Sequence, residues 1–373
     1  MSAPQGPSFA RSFSAVGLDL VDAGLDAWVR SSLAVIEERL HTAVTSADPF
    51  VADAARHLVD AGGKRFRPLL VALAAQLGDH PDAPEVTDAA VVVELTHLAT
   101  LYHDDVMDEA PVRRGAPSAN SRWTNTVAIL TGDYLFARAS DIVAGLGPEA
   151  VRIQARTFSR LVEGQIRETA GPRAGDDPIA HYQYVIAEKT GSLIATSARF
   201  GGMFSGADPA TVEALARYGE LIGIAFQLSD DILDIASDSQ ESGKTPGTDL
   251  REGIATLPVL YALGMDDPVG CRLRQILTGP DGSGGRVGQD GSEMHRPAGS
   301  GPEAAGRPGG QLTDDTLISE ALLLLRSSAA IRQARQTLRE YAESAREALS
   351  GLPDRPARAA LESLCGYVVQ RTG

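Results

Sequence analysis

The chain has 373 residues, 43% of them hydrophobic and 22% charged, with a formal net charge of −15. This is enough apolar content for one large core, and the acidic total argues against a nucleic-acid binder or a polybasic lipid adhesin. Only Cys271 and Cys365 occur, far apart and without metal-ligand spacing, which predicts free thiols in a reducing, cytoplasmic setting.

In chain order, the N-terminal MSAPQGPSFARSFSAVG lacks the apolar centre of a leader, and residues 1–13 read as a flexible tail. No apolar run reaches the length of a membrane span. Helical spacing recurs in LDAWVRSSLAVIEERLHTAV, DAAVVVELTHLATLYHDD, VEALARYGELIGIAFQLSDDIL and IRQARQTLREYAESAREALSGL. Alternating β-branched runs are nearly absent. Breaks fall at Gly62-Gly63, between Pro111 and Pro117, between Gly171 and Pro178, and at Pro246-Gly247. These features predict an all-α protein, a single large helical bundle of ten or more helices spanning 1–373. One segment departs from the pattern. Residues 279–311 are dominated by Gly, Pro, Ser and charge, too polar to offset their ordering entropy, and read as a disordered insertion.

Two helical runs end in aspartates. In HDDVMD, Asp104 and Asp108 share a face one turn apart, with Asp105 beside them and His97 two turns earlier. Carboxylates at that spacing repel, and in a cleft they need a compensating cation. Their hard oxygens suit Mg²⁺, which takes a carboxylate or two, waters and phosphate oxygens. A solvated acidic helix end is the bland alternative for one such cluster. The second, SDDILD, repeats the DDxxD spacing with Asp230, Asp231 and Asp234, and Gln227 lies one turn before Asp231. Two such clusters facing each other across a cavity could hold several Mg²⁺ ions and a diphosphate. There is no calcium-loop, H-E-x-x-H, zinc, Walker A or Rossmann pattern.

Basic residues accompany the acidic ones beside turns. They are Lys64, Arg65 and Arg67 in GGKRFRP, Arg113 and Arg114 in PVRRG, Lys189 with Thr190 in EKTGS, and Lys244 in SGKTPGTDL. Arginine forks suit phosphate bidentately, and lysine supplies a mobile point charge. Together they describe two diphosphate sites, one bridged by metal and one held by direct cations.

GGKRFRP, HxxxxxHDDVMDxxxxRRG, EKTGS and FQLSDDILDxxxxxxxxGKTPGTDL, in this order, resemble the trans-isoprenyl diphosphate synthases, over roughly Leu33 to Gly264 and again in the last helices. The resemblance implies the isoprenoid synthase fold around a central cavity. It also implies head-to-tail addition of isopentenyl diphosphate to an allylic diphosphate. Two to three Mg²⁺ ions on Asp104, Asp108 and Asp234, with Asp105, Asp230 and Asp231 near, would bind the allylic diphosphate and assist its ionisation. Arg113, Lys189 and Lys244 would share its charge. Lys64, Arg67, His97 and Arg114 match the positions that hold isopentenyl diphosphate. Lys189, Thr190 and Gln227 would place dipoles beside the allylic cation. A homodimer follows from resemblance, as does loose membrane association for product release without a transmembrane segment. Many relatives carry a lysine where this chain has Ile254, and Arg251 is the nearest cation in sequence to replace it.

In this family the helix ending at Asp104 forms one wall of the product tunnel, past Val92, Thr96, Ala99 and Thr100. Short-chain relatives place an aromatic four or five positions before the first aspartate, where this chain has Thr100 and Ala99. A helical turn rises about 5.4 Å, close to one isoprene unit. The small residues therefore predict a long product, heptaprenyl to decaprenyl, as needed for a quinone side chain. Close helix packing is the alternative reason for them. The competing functions are a geranylgeranyl diphosphate synthase and a non-catalytic subunit of a heteromeric synthase. A terpene cyclase normally lacks the GGKRFRP and RRG boxes.

Overall fold

The structure is a computed structural model that describes residues 20–237, 246–278, 312 and 314–372. The N-terminal tail, Lys244 and the 279–311 insertion lie outside the described residues. The described chain is almost wholly α-helical, as the periodicity predicts, with one two-stranded ribbon. It divides into two compact units.

The first unit comprises the described residues of Met1–Leu161, Gly191–Ile222 and Ser344–Tyr367. Helix α1 (Ala23–Ala43) is capped by Asp22, whose carboxylate accepts from the Leu25 amide at 2.7 Å. Helix α2 (Pro49–Asp60) starts on a capping Asp48 and a proline at its first position. After the Gly62-Gly63 break, α3 (Phe66–Ala75) leads to α4 (Pro84–Met107). Helix α4 is the centre of this unit. It buries Val86, Ala89, Val91, Val92, Val93, Leu95, Leu98, Ala99 and Tyr102, apolar residues on nearly every face, as a helix enclosed by others must. Tyr102 donates its hydroxyl to the Ala54 carbonyl at 2.6 Å and so ties α4 to α2.

Beyond α4 the PVRRG segment forms a hairpin of β1 (Val112–Arg113) and β2 (Ala116–Pro117). Its two loop residues, Arg114 and Gly115, have φ of 54° and 77°, the left-handed pair that a two-residue hairpin turn demands. A short turn of helix, α5 (Ala119–Arg122), precedes α6 (Asn125–Gly145), which packs along α4. The approach is close because position 132 is glycine. A Cβ there would lie 2.3 Å from His103 Nε2 and 3.1 Å from the Ala99 carbonyl. The unit also takes in the start of α7 (Pro148–Ala170), α9 (Ser192–Phe204), the first part of α10 (Pro209–Ala236) and most of α16 (Pro356–Gln370).

The second unit comprises the described residues of Val162–Thr190, Gly223–Glu343 and Val368–Gly373. It contains α8 (Pro178–Ile186), which runs into a π-helical turn (Ala187–Gly191), and the aspartate-bearing end of α10. Shorter helices follow: α11 (Thr248–Glu252), α12 (Leu257–Leu263), α13 (Pro268–Thr278) and α14 (Asp315–Ser327), then α15 (Ala329–Ala348), which starts here. Both cysteines are free, Cys271 exposed and Cys365 buried. Among the described residues no helix is long and apolar enough to cross a membrane.

Candidate active site

In the first unit the DDxxD helix end presents its three carboxylates differently. Asp104 is half-buried and Asp108 exposed, while Asp105 is fully buried. Arg113 of the hairpin donates Nε to Asp105 Oδ1 at 2.6 Å, with its Nη2 4.0 Å from Asp108. Asp105 Oδ2 is buried and without a hydrogen-bond partner in the described structure. The hairpin is thus docked onto the carboxylates it follows in sequence.

The cations expected for a second diphosphate gather in the same unit. Lys64 is exposed, Arg67 and Arg114 are half-buried, and Arg67 Nε is buried without a hydrogen-bond partner. Arg114 donates Nη1 to the Leu58 carbonyl at 2.9 Å and to that of Gly62. Burial pushes Arg67 down to about 10, with Arg114 adding to the effect and Glu94 opposing it. Arg114 is shifted in the same direction by burial. His97 sits well below the usual imidazole range, through burial and the nearby Arg67, Arg114, Arg65 and Arg113. It is neutral at neutral pH, able to donate one hydrogen bond without adding charge.

Helix α4 does not show an open wall above this region. Val92, Thr96 and Ala99 have no accessible surface and Thr100 is half-buried. At Gly132 α6 approaches the Ala99 carbonyl and the His103 ring, and Gln154 of α7 donates Nε2 to Thr96 Oγ1 at 2.6 Å. Gln154 lies outside the motifs and has no sequence signal beyond being a polar residue on an apolar helix face.

In the second unit the aspartates at the end of α10 are each held by a different partner. Asp231 is buried and accepts from Tyr182 Oη and, at 2.9 Å, from Gln227 Nε2. Gln227 Oε1 in turn accepts from Thr190 Oγ1 at 3.1 Å, so the two residues predicted to supply dipoles form one chain with the carboxylate. Asp234 accepts from the amides of Thr248 and Asp249 at 3.1 and 3.2 Å, capping α11 and fixing the GTDL box to the aspartate motif. Asp230 pairs with Arg371, whose guanidinium lies 4.7 Å from the Phe226 ring centroid. Arg371 follows the last helix at a place where no motif marks it. Lys189 stands in the π-helical turn, where the extra backbone residue re-aims the side chain, and donates to Glu168 at 2.5 Å. The turn packs against α7 at Gly164, where a Cβ would stand 2.8 Å from the Lys189 amide nitrogen. Arg251, the cation expected to stand in for the lysine absent at Ile254, instead donates to Asp315 at 2.6 Å.

Burial pushes Asp231 up to about 6, aided by Asp234 and Glu168 and opposed by the Tyr182 and Gln227 hydrogen bonds. A carboxyl whose folded-state value lies above its unfolded value stabilises the fold when protonated, and that contribution is lost as pH rises through about 6. Asp231→Asn is therefore expected to raise the melting temperature of the metal-free protein at pH 8 and to give no gain at about pH 4. Each kcal/mol is worth about 2 °C or less in a chain larger than roughly 250 residues. Equal Tm differences at both pH values, measured by thermal unfolding in chelator, would show that burial of the charge is not the cause.

Among the described residues, no point is ringed by three His, Cys, Asp or Glu side chains. The donor set still fits Mg²⁺, which needs only one or two carboxylates and completes its shell with water and phosphate oxygens. Asp104 and Asp108 supply that pattern, beside an unsatisfied buried carboxylate oxygen of Asp105.

The all-α architecture is that of the isoprenyl synthases among solved structures, and the likeness to known proteins makes the chain a prenyltransferase of that class. The polyprenyl synthetase family model matches residues 48–287. A nonaprenyl diphosphate synthase of Mycobacterium tuberculosis is 51% identical over 357 residues, covering 96% of this chain and 97% of that one. A dimethylallyltranstransferase of the same organism is 42% identical over 352 residues, covering 94% and 98%. Among solved structures, geranylgeranyl pyrophosphate synthase from Corynebacterium glutamicum, complexed with calcium and isoprenyl diphosphate, matches with a TM-score of 0.80 at 43% identity, covering 95% of this chain and 100% of that one. The chain belongs to the polyprenyl synthetase family and is a trans-prenyl diphosphate synthase.

Proposed function

We propose that the protein condenses isopentenyl diphosphate head to tail with an allylic diphosphate and carries the product to long, all-trans polyprenyl length. The observation that carries the reaction is the division of charge. Asp104, Asp108, Asp230 and Asp234 offer hard oxygens suited to Mg²⁺, whereas Lys64, Arg67 and Arg114 form a separate cationic set with a neutral His97. Bound Mg²⁺ supplies Lewis-acid assistance to departure of the allylic diphosphate. Asp104 and Asp108 in the first unit, and Asp230 and Asp234 in the second, are the residues of each cluster suited to hold such an ion.

Asp105 and Asp231 serve differently in this reading. Asp105 orients Arg113 toward the diphosphate, and Asp231 orients Gln227. Thr190 and Gln227 present fixed dipoles to the carbon that becomes cationic, an electrostatic stabilisation preorganised before charge develops. Lys189 shares diphosphate charge once it leaves Glu168. Released diphosphate takes the final proton, so no dedicated His or Glu base is required.

The long product, and with it a quinone side chain as destination, is supported by the likeness to a nonaprenyl synthase and by Ala99 and Thr100 where short-chain relatives carry an aromatic. A homodimer with cytoplasmic residence completes the proposal; Ile129 and Leu130 of α6, 43% and 60% exposed, offer apolar surface for a partner. The experiment is direct: incubate the purified chain alone with isopentenyl diphosphate, an allylic primer and Mg²⁺, and separate the products by chain length. Elongation to seven to ten units is expected. No elongation alone, with activity restored by a second protein, would assign the chain to a heteromeric synthase instead. Arrest at four units would make it a geranylgeranyl diphosphate synthase.

A further inference from the structure

Arg65 stands in the middle of the GGKRFRP box, yet it cannot bind substrate. Its five N–H bonds are all directed to protein oxygens. Nε and Nη2 fork onto Glu37 at 2.7 and 2.8 Å, and Nη1 reaches Glu94 at 3.1 Å. The remaining two go to the Gly62 and Val59 carbonyls at 3.2 and 3.0 Å. Arg65 is 9% exposed and Glu94 1%. The backbone of Arg65 is left-handed, φ 48°, a conformation an arginine adopts only where its surroundings impose it.

The consequence is positional. The Gly62 carbonyl accepts from both Arg65 and Arg114, and a Cβ on Gly63 would come within 2.8 Å of the Arg114 guanidinium carbon. The turn that carries Lys64 and leads into Arg67 in the first turn of α3 is thereby locked to the hairpin arginine. Glu94 lies three residues before His97, on the same flank of α4, so the same carboxylate ties the helix that presents the imidazole. Electrostatics agree. Glu94 pulls against the mutual repulsion of Arg67 and Arg114, and Glu37 against that at Arg65 and Arg114. Three arginines share these two carboxylates, which leaves the cluster cationic and one buried Arg67 N–H without a partner.

We propose that Glu94, Arg65 and Glu37 form a buried positioning network for the isopentenyl diphosphate site, holding Lys64, Arg67, His97 and Arg114 at the spacing one diphosphate requires. The inference rests on the reading of those four residues as that site. The network touches no substrate; it acts through the turn and through the Arg67–Arg114 pair.

The test is steady-state kinetics on Arg65→Lys and Glu94→Gln, with each substrate varied in turn and Arg67→Ala as reference. Lysine keeps the charge but loses the fork, and glutamine keeps an acceptor but loses the charge. Both variants are expected to raise the KM for isopentenyl diphosphate about tenfold or more, with the KM for the allylic primer within about twofold of the parent. A purely structural role would lower the amount of active enzyme, and with it kcat, without separating the two KM values. A raised isopentenyl KM in Arg67→Ala with a normal one in both network variants overturns the network alone. A normal isopentenyl KM in Arg67→Ala overturns the site reading and the network with it. Loss of the cooperative melting transition in both network variants assigns these residues to the fold and also overturns the proposal.

Discussion

Asp104→Asn and Asp108→Asn are each expected to lower kcat about a thousandfold, roughly 4 kcal/mol of transition-state stabilisation, while the protein stays folded. Asp104 is half-buried and Asp108 exposed, so neither is committed to the core, and an amide of the same shape leaves the packing of α4 intact. What changes is chemistry. Asparagine offers a neutral oxygen in place of a charged one, and Mg²⁺ affinity falls with the loss of each hard anionic ligand. Raising Mg²⁺ should therefore recover part of the activity of either variant and little of the double variant's.

Asp105→Asn provides the contrast. Asp105 is fully buried and bonded to Arg113, so this change leaves Arg113 facing a neutral amide and costs stability as well as rate. A measured Mg²⁺ requirement, alongside Tm, separates the two behaviours. If Asp104→Asn and Asp108→Asn keep parental kcat at saturating Mg²⁺ and unchanged Mg²⁺ dependence, the first cluster is not the metal site.

That contrast also marks how far the sequence could be read. The DDxxD spacing is local, and helical periodicity with the Gly62-Gly63 and PVRRG breaks is enough to place both aspartate runs at helix ends, where the structure has them. Which carboxylate faces outward is not local. It depends on Arg113 returning through a hairpin turn to Asp105 and on Tyr182 meeting Asp231 from 49 residues away, as the tie of Arg65 to Glu37 depends on a contact across 28. Hydrogen bonds and ion pairs of that separation leave no periodic trace. Read alone, GGKRFRP looks like three cations for phosphate, and only the saturated hydrogen bonding of Arg65 shows that one of them is scaffolding. The π-helical turn at Lys189 is equally silent, because nothing in EKTGS distinguishes one extra residue per turn from an ordinary helix. Arg251 shows the same non-locality: nearness in sequence points it to the second aspartate cluster, whereas its guanidinium donates to Asp315, 64 residues away.

If the product has the long-chain length proposed above, Ala99→Tyr is expected to shorten it to about geranylgeranyl length or below. The position is five residues before Asp104, a little over one helical turn or about 7.5 Å along the axis, so a ring there lies within reach of the second or third isoprene unit. The same side chain has no accessible surface in this structure, and its carbonyl is 3.1 Å from where a Cβ would sit on Gly132. A growing chain that passes along α4 must therefore part a packed flank, which small side chains and a hydrogen-bonded Thr96–Gln154 pair resist less than an aromatic floor would. Tyrosine also overpacks the site, at a cost of about 1–3 kcal/mol. Thr100→Phe, at a half-buried neighbour, tests the same wall with less strain. The decisive readout is the product distribution of folded enzyme, with Tm measured in parallel. If both variants remain folded and active and still make the parental chain length, Ala99 and Thr100 are small for the sake of the α4–α6 contact, and product length is set by residues elsewhere.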